Sequence, residues 1–113
     1  MRIFKFGGAS IKDAAGIKNV HRVLQKVGYE DVLLVISAMG KTTNALEIVI
    51  KHYFEKSHEL QSSVQEVKKY HNQILMDLFE EENHLVFKET NKLFLDLEFF
   101  LSQNKCADTR IKT

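Results

Sequence analysis

The apolar positions in the first third of the chain follow two different periodicities. Arg2–Phe6 and residues 31–36 are short apolar runs with the composition of β-strands. Between them, apolar residues recur every three or four positions from about Lys12 to Val27, which predicts an amphipathic helix, and Gly28 fits a C-terminal cap. A strand, a helix and a strand predict a right-handed βαβ unit with parallel strands. The run at 31–36 is typical of a strand that is buried on both faces.

The rest of the chain has the spacing of helices only. One helical pattern runs from Thr43 to about Lys56, a second covers 64–79, and a third follows Asn83. Polar turns are expected near residues 57–63 and 80–83, so the helices should pack antiparallel. We therefore expect a βαβ portion at residues 1–44 and a mainly helical portion at 45–104, followed by a polar tail.

Composition narrows the classes of function. The 113 residues are 44% hydrophobic, and 16 Lys plus Arg balance 15 Asp plus Glu to a net charge of +1. This balance gives no electrostatic reason to expect nucleic acid or an anionic membrane as a partner. A single cysteine, Cys106, favours a reducing, cytoplasmic compartment. No apolar run is long enough to span a membrane, no signal peptide is apparent, and the histidine spacing does not indicate a metal site.

Two segments between a strand and a helix carry most of the chemistry. The first turn (residues 5–10) reads Lys-Phe-Gly-Gly-Ala-Ser, and the second turn (residues 37–44) reads Ser-Ala-Met-Gly-Lys-Thr-Thr-Asn. Three of the five glycines in the chain, Gly7, Gly8 and Gly40, lie in these turns. Glycine lets a backbone come close to a phosphate, and a helix N-terminus favours anions. Ser10 is expected to cap the following helix, and Lys5 can neutralise a phosphoryl group.

The second turn does not contain a Walker A loop, although Gly40-Lys41-Thr42 has the appearance of its end. That loop needs a glycine five positions before Gly40, where this chain has Val35 inside the predicted strand. The turn instead follows the carboxyl end of a strand, where open α/β sheets bind their ligands. Thr42 or Thr43 is expected to cap the next helix.

The two motifs together resemble the start of the aspartokinases. These enzymes belong to the amino acid kinase superfamily, whose members phosphorylate carboxylates or related groups with ATP. The resemblance covers about the first 45 residues and implies the βαβ part of the three-layer, carbamate kinase-like α/β fold, followed by helices on the substrate side. It implies the ATP-dependent phosphorylation of the L-aspartate side chain to 4-phospho-L-aspartate, the first step of lysine, threonine and methionine biosynthesis.

The resemblance also assigns roles to individual residues. Lys5 would be catalytic and would contact the transferred phosphoryl group. The phosphates of ATP, with Mg²⁺ carried by the nucleotide, would bind to Lys5, Gly7, Gly8 and Ser10. L-aspartate would be held by Ser37, Ala38 and Thr43. The family usually has threonine where this chain has Ala9, so one hydroxyl is absent from the first turn.

Further segments that the family uses are not found in these 113 residues. They include a glutamate in a later Gly-Glu segment, an aspartate, a second lysine and a nucleotide-binding loop. We therefore expect this chain to be the N-terminal part of a longer enzyme, an incomplete domain that is inactive by itself and forms homo-oligomers. Two alternatives stay open: another member of the amino acid kinase superfamily, and a non-catalytic helical interaction module.

Overall fold

A computed structural model describes residues 1–81 and 84–103 as a mixture of strands and helices. The chain divides into two compact units, Met1–Thr43 and a second unit that begins at Asn44. The elements are, in chain order, strand β1 (Arg2–Phe6), a 3₁₀ turn (Gly8–Ile11), helix α1 (Ala14–Val27), strand β2 (Val32–Ile36) and helices α2 (Thr42–Glu55), α3 (Leu60–Leu78) and α4 (Leu85–Ser102). Within the described ranges, every helix is too short or too polar to span a membrane.

The first unit contains a parallel pair of strands joined through α1. The pairing register runs from Arg2 opposite Val32 to Phe6 opposite Ile36, which confirms the predicted parallel arrangement. The Arg2 guanidinium donates hydrogen bonds to the carbonyl oxygens of Val27 (2.9 Å) and Gly28 (3.2 Å). These bonds satisfy carbonyl groups that the end of α1 leaves without a helical partner. Gly28 has a φ of 83°, so the predicted C-terminal cap is confirmed.

The start of α1 differs from the prediction. The helix begins at Ala14, and Asp13 is its N-cap, with a carboxylate oxygen that accepts from the Gly16 N–H at 2.8 Å. The expected cap by Ser10 is therefore wrong. The physical reason is that Gly8–Ile11 form a 3₁₀ turn. Because Ser10 is part of this turn, the α-helix begins only after it, at Ala14.

The prediction that β2 is buried on both faces is also wrong for this chain. The four residues Leu33–Ile36 are 39% to 56% exposed, and Ile3 on β1 is 63% exposed. Because neighbours across parallel strands share a face, the apolar residues Ile3, Leu33 and Val35 lie on one exposed face of the sheet, together with Lys5, which is opposite Val35. A parallel sheet normally has both faces covered and more than two strands, whereas the sheet that the described residues form has two strands and leaves Leu33–Ile36 exposed.

We expect this exposed face and the open strand edge to make the chain self-associate. Exposed apolar patches and unpaired strand edges both favour contact with a second copy. Light scattering at increasing concentration should show the apparent mass rising above 13.1 kDa. A Val35→Lys variant, which adds a second positive charge opposite Lys5 on this face, should stay closer to the monomer. A clean wild-type monomer at high concentration would contradict this expectation.

The second unit is built from helices around a small apolar core. Val49 on α2 packs with Val64 and Val67 on α3, and all three are at most 4% exposed. Partly buried apolar residues surround this cluster, namely Ala45, Leu60, Phe94, Leu97 and Leu101. Gln65 contacts Glu98, whereas His71, further along α3, contacts the earlier Phe94. The order of these contacts shows that α3 and α4 run antiparallel, as predicted.

The helix boundaries differ from the prediction by a few residues. Helix α3 begins at Leu60, inside the expected 57–63 turn, because Leu60 already packs against the core. The turn that remains is short and is held by the Ser57 hydroxyl, which accepts from the Glu59 N–H at 3.1 Å. Part of the expected 80–83 turn and the tail after residue 103 lie outside the described residues.

Candidate functional site

The carboxyl ends of the two strands bring the first and second turns to one edge of the sheet. Phe6, the last residue of β1, is opposite Ile36, the last residue of β2. The next N–H, that of Ser37, donates to the Phe6 carbonyl oxygen at 3.1 Å. The parallel register therefore continues for one hydrogen bond beyond the strands, and both turns start from the same place.

The two turns are in direct backbone contact. The Gly40 N–H donates to the Gly8 carbonyl oxygen at 3.0 Å. A Cβ atom built on Gly8 would lie 2.8 Å from the Gly40 carbonyl oxygen and 2.9 Å from that of Ala38. Real side chains essentially never make carbon–oxygen contacts this short. The approach of the turns therefore requires glycine at position 8.

The second turn has a fixed local geometry. Gly40 has a φ of 56°, in the left-handed region that favours glycine. The Met39 carbonyl oxygen accepts from both the backbone N–H and the hydroxyl of Thr42, whose side chain is buried. The Thr42 hydroxyl thus binds the preceding turn as a donor, and the expected cap of α2 by Thr42 or Thr43 stays a prediction. Thr43 is exposed in the first turn of α2.

The first turn leaves open space at one glycine and is closely packed further along. Gly7 is extended, with φ −79° and ψ 172°, and a Cβ atom on it would meet nothing within 4 Å. The Ser10 N–H donates to the Gly7 carbonyl oxygen at 3.0 Å. A Cβ atom on Gly16 would overlap the Ser10 carbonyl oxygen, so the start of α1 packs directly on this turn.

The remaining site candidates lie at the surface of the first unit. Lys5 is exposed and pairs in register with Val35, one position before the end of β1. The exposed residues among the predicted ligands are Lys5, Gly7, Ser10, Ser37, Ala38 and Thr43, whereas Gly8 is half-buried between the turns. Their assigned roles in binding ATP and aspartate stay predictions.

The charge of the two turns favours anions. Lys5 and Lys41 are exposed cations, and neither turn contains an aspartate or a glutamate. With no carboxylate, the turns lack the oxygen ligand that Mg²⁺ prefers to take from a protein. Within residues 1–81 and 84–103, no group of three His, Cys, Asp or Glu residues could hold a metal ion.

Two structural residues of the site had no assigned role in the sequence prediction. Gly40 donates the hydrogen bond that joins the turns, and Gly16 lets α1 approach Ser10. A signal for Gly16 was available, because a lone glycine inside a helical pattern often marks a close backbone approach. The partner of Gly40 could not be read from the sequence, since Gly8 lies more than thirty positions away.

Comparison with known proteins agrees in part with the predicted resemblance. A segment of the chain is similar to a plant aspartokinase. Aspartokinase 2, chloroplastic, from Arabidopsis thaliana is 43% identical to the chain over 44 residues. The match includes 39% of this chain and spans 8% of the length of the plant protein. No family model matches the chain.

Proposed function

We propose that the first unit forms part of the active site of an aspartate kinase, within a longer protein of which this chain is one part. The reaction would transfer the γ-phosphoryl group of ATP to the side-chain carboxylate of L-aspartate. The observation that supports the proposal best is the contact between Gly8 and Gly40, which places the two motifs side by side at the strand ends. The partial similarity to an aspartokinase gives independent support.

In this proposal the first turn receives the phosphates. Gly7 has open space beside its Cα, so a phosphate oxygen can approach the backbone there without a steric clash. Lys5 lies two residues before Gly7 and is exposed, so its ammonium group can neutralise the phosphoryl group during transfer. Mg²⁺ would arrive with the nucleotide, since the turns carry no carboxylate to hold it.

The second turn would hold the acceptor. Aspartate is anionic, and the turn leads into the N-terminus of α2, where the helix dipole favours negative charge. Ser37 and Thr43 are exposed and carry hydroxyl groups that can hydrogen-bond a small amino acid. Because phosphoryl transfer depends mainly on positioning and on charge stabilisation, a fixed spacing between the two turns is the property that matters.

Thr43→Ala in the longer protein should weaken aspartate binding and leave nucleotide binding intact. Loss of one hydrogen bond to the substrate corresponds to an increase of about 10-fold in the KM for aspartate. Steady-state kinetics with each substrate varied, together with calorimetric titration of ATP, measure the two effects separately. Thr43→Ser keeps the hydroxyl and serves as the matched control.

Steady-state kinetics of the longer protein also test the alternative that it is another amino acid kinase. If the wild-type protein phosphorylates a different amino acid or a nucleoside monophosphate, and aspartate does not compete, the assignment of aspartate is wrong. The 113-residue chain by itself should show no turnover with ATP and aspartate. Measurable turnover by the purified chain would contradict the proposal that the chain supplies only part of the site.

A further inference from the structure

The two adjacent glycines of the first turn meet very different surroundings. An added Cβ atom on Gly7 would contact nothing within 4 Å, whereas the same atom on Gly8 would collide with two backbone carbonyl oxygens of the second turn. Neither glycine has a positive φ, so the backbone conformation itself would accept alanine at both positions. The difference between them is therefore steric, and the three atoms nearest to the added Cβ atom on Gly8 all belong to the second turn.

We infer that Gly8 and Gly40 are positioning residues that set the spacing between the two turns. Gly8 lets the turns approach, and Gly40 donates the hydrogen bond that holds them at 3.0 Å. The left-handed φ of Gly40, 56°, aims its N–H and carbonyl at the first turn at little conformational cost. The catalytic part of this inference rests on the proposed function, whereas the contact itself does not.

The consequence for catalysis follows from the distances. Alanine at position 8 must move the Ala38 and Gly40 carbonyl oxygens from below 3.0 Å to an ordinary contact of 3.4 Å or more. Both oxygens are backbone atoms, so the turn as a whole has to shift. A displacement of this kind between a phosphoryl donor and its acceptor lowers the rate by up to about 10²-fold, while each turn still binds its own ligand.

The structural test uses NMR amide hydrogen exchange on the 113-residue chain. In wild type and in Gly7→Ala, the Gly40 amide should be protected, and the resonances of residues 37–43 should coincide. In Gly8→Ala, the Gly40 amide should exchange at least about 10-fold faster, and the resonances of the second turn should shift. A Gly8→Ala spectrum and exchange rate equal to those of wild type would overturn the inference, whatever reaction the protein catalyses.

The kinetic test compares the same variants in the longer protein. Gly8→Ala should lower kcat by about 10-fold to 100-fold with little change in either KM, because only the spacing is altered. Gly7→Ala should instead raise the KM for ATP, since the new methyl group occupies the open space beside the first turn. Equal changes in kcat for the two variants would contradict a positioning role for Gly8. A wild-type protein without aspartate kinase activity would overturn the proposed function and leave the NMR result standing.

A second pair of variants covers the case in which Gly8→Ala does not fold. Asparagine tolerates a left-handed φ better than other non-glycine residues, whereas a β-branched residue does not. Gly40→Asn should therefore retain most of the protection of its own amide and most of kcat, and Gly40→Val should lose both. Loss of kcat in Gly40→Asn with its amide still protected would contradict the inference.

Discussion

Lys5→Ala is expected to lower kcat for phosphoryl transfer from ATP to aspartate by about 10² to 10³-fold. Lys5 is an exposed cation one position before the end of β1, and it is the first residue of the turn assigned to the phosphates. Its ammonium group would act on charge that develops in the transition state, so kcat should fall more than the KM for either substrate rises. Steady-state kinetics of the longer protein measure this difference.

Two further variants make the Lys5 experiment specific. Lys18→Ala removes an exposed lysine from α1, outside both turns, and should leave the rate unchanged. Lys5→Arg keeps the charge but changes its shape, so it should restore part of the lost rate. If Lys5→Ala has wild-type kinetics, the catalytic role is wrong. Unchanged kinetics would favour the alternative of a non-catalytic helical module. The exposed apolar residues Leu93 and Phe99 of α4 would contribute to its binding surface.

Ile74→Ala is expected to have the largest effect on stability. Ile74 on α3 is 3% exposed, and removing a buried isoleucine side chain to alanine lowers the free energy of unfolding by about 2–5 kcal/mol. This is a large share of the roughly 5–15 kcal/mol that stabilises a typical domain. Urea unfolding followed by circular dichroism on the 113-residue chain gives the difference directly.

Met76 provides the control for the Ile74 experiment on the same helix. It is also a large apolar residue, but it is 62% exposed. Met76→Ala removes little buried surface, so the free energy of unfolding should change by less than about 0.5 kcal/mol. Equal losses from the two variants would show that burial on α3 is not what stabilises this unit.

Much of the fold follows from the sequence because local patterns determine it. Arg2–Phe6 was predicted with its observed bounds, and the cap at Gly28 depends only on a left-handed residue at a helix end. The predicted ends of helices were less accurate where another local structure could form from the same residues. The 3₁₀ turn displaced the start of α1 to Ala14, and Asp13 became the cap that had been expected of Ser10.

The exposure of β2 shows what a sequence pattern cannot decide. A continuous run of valine, leucine and isoleucine predicts a strand in a covered sheet, and residues 32–36 do form a strand. Whether such a strand is buried depends on the elements that pack on it. In this chain Leu33–Ile36 remain 39% or more exposed. The apolar run is therefore typical of a covered strand, but the described residues do not cover it.

The sequence by itself determined the two glycine-containing turns, their positions after parallel strands and their positive charge. These properties depend on residues that are close along the chain. Only the tertiary structure decided that the turns touch, because Gly8 and Gly40 meet through strand pairing across 32 positions. It also showed that two glycines that look equivalent in the sequence have different surroundings. The second turn lies so close to Gly8 that no side chain fits there, whereas the space beside Gly7 is open.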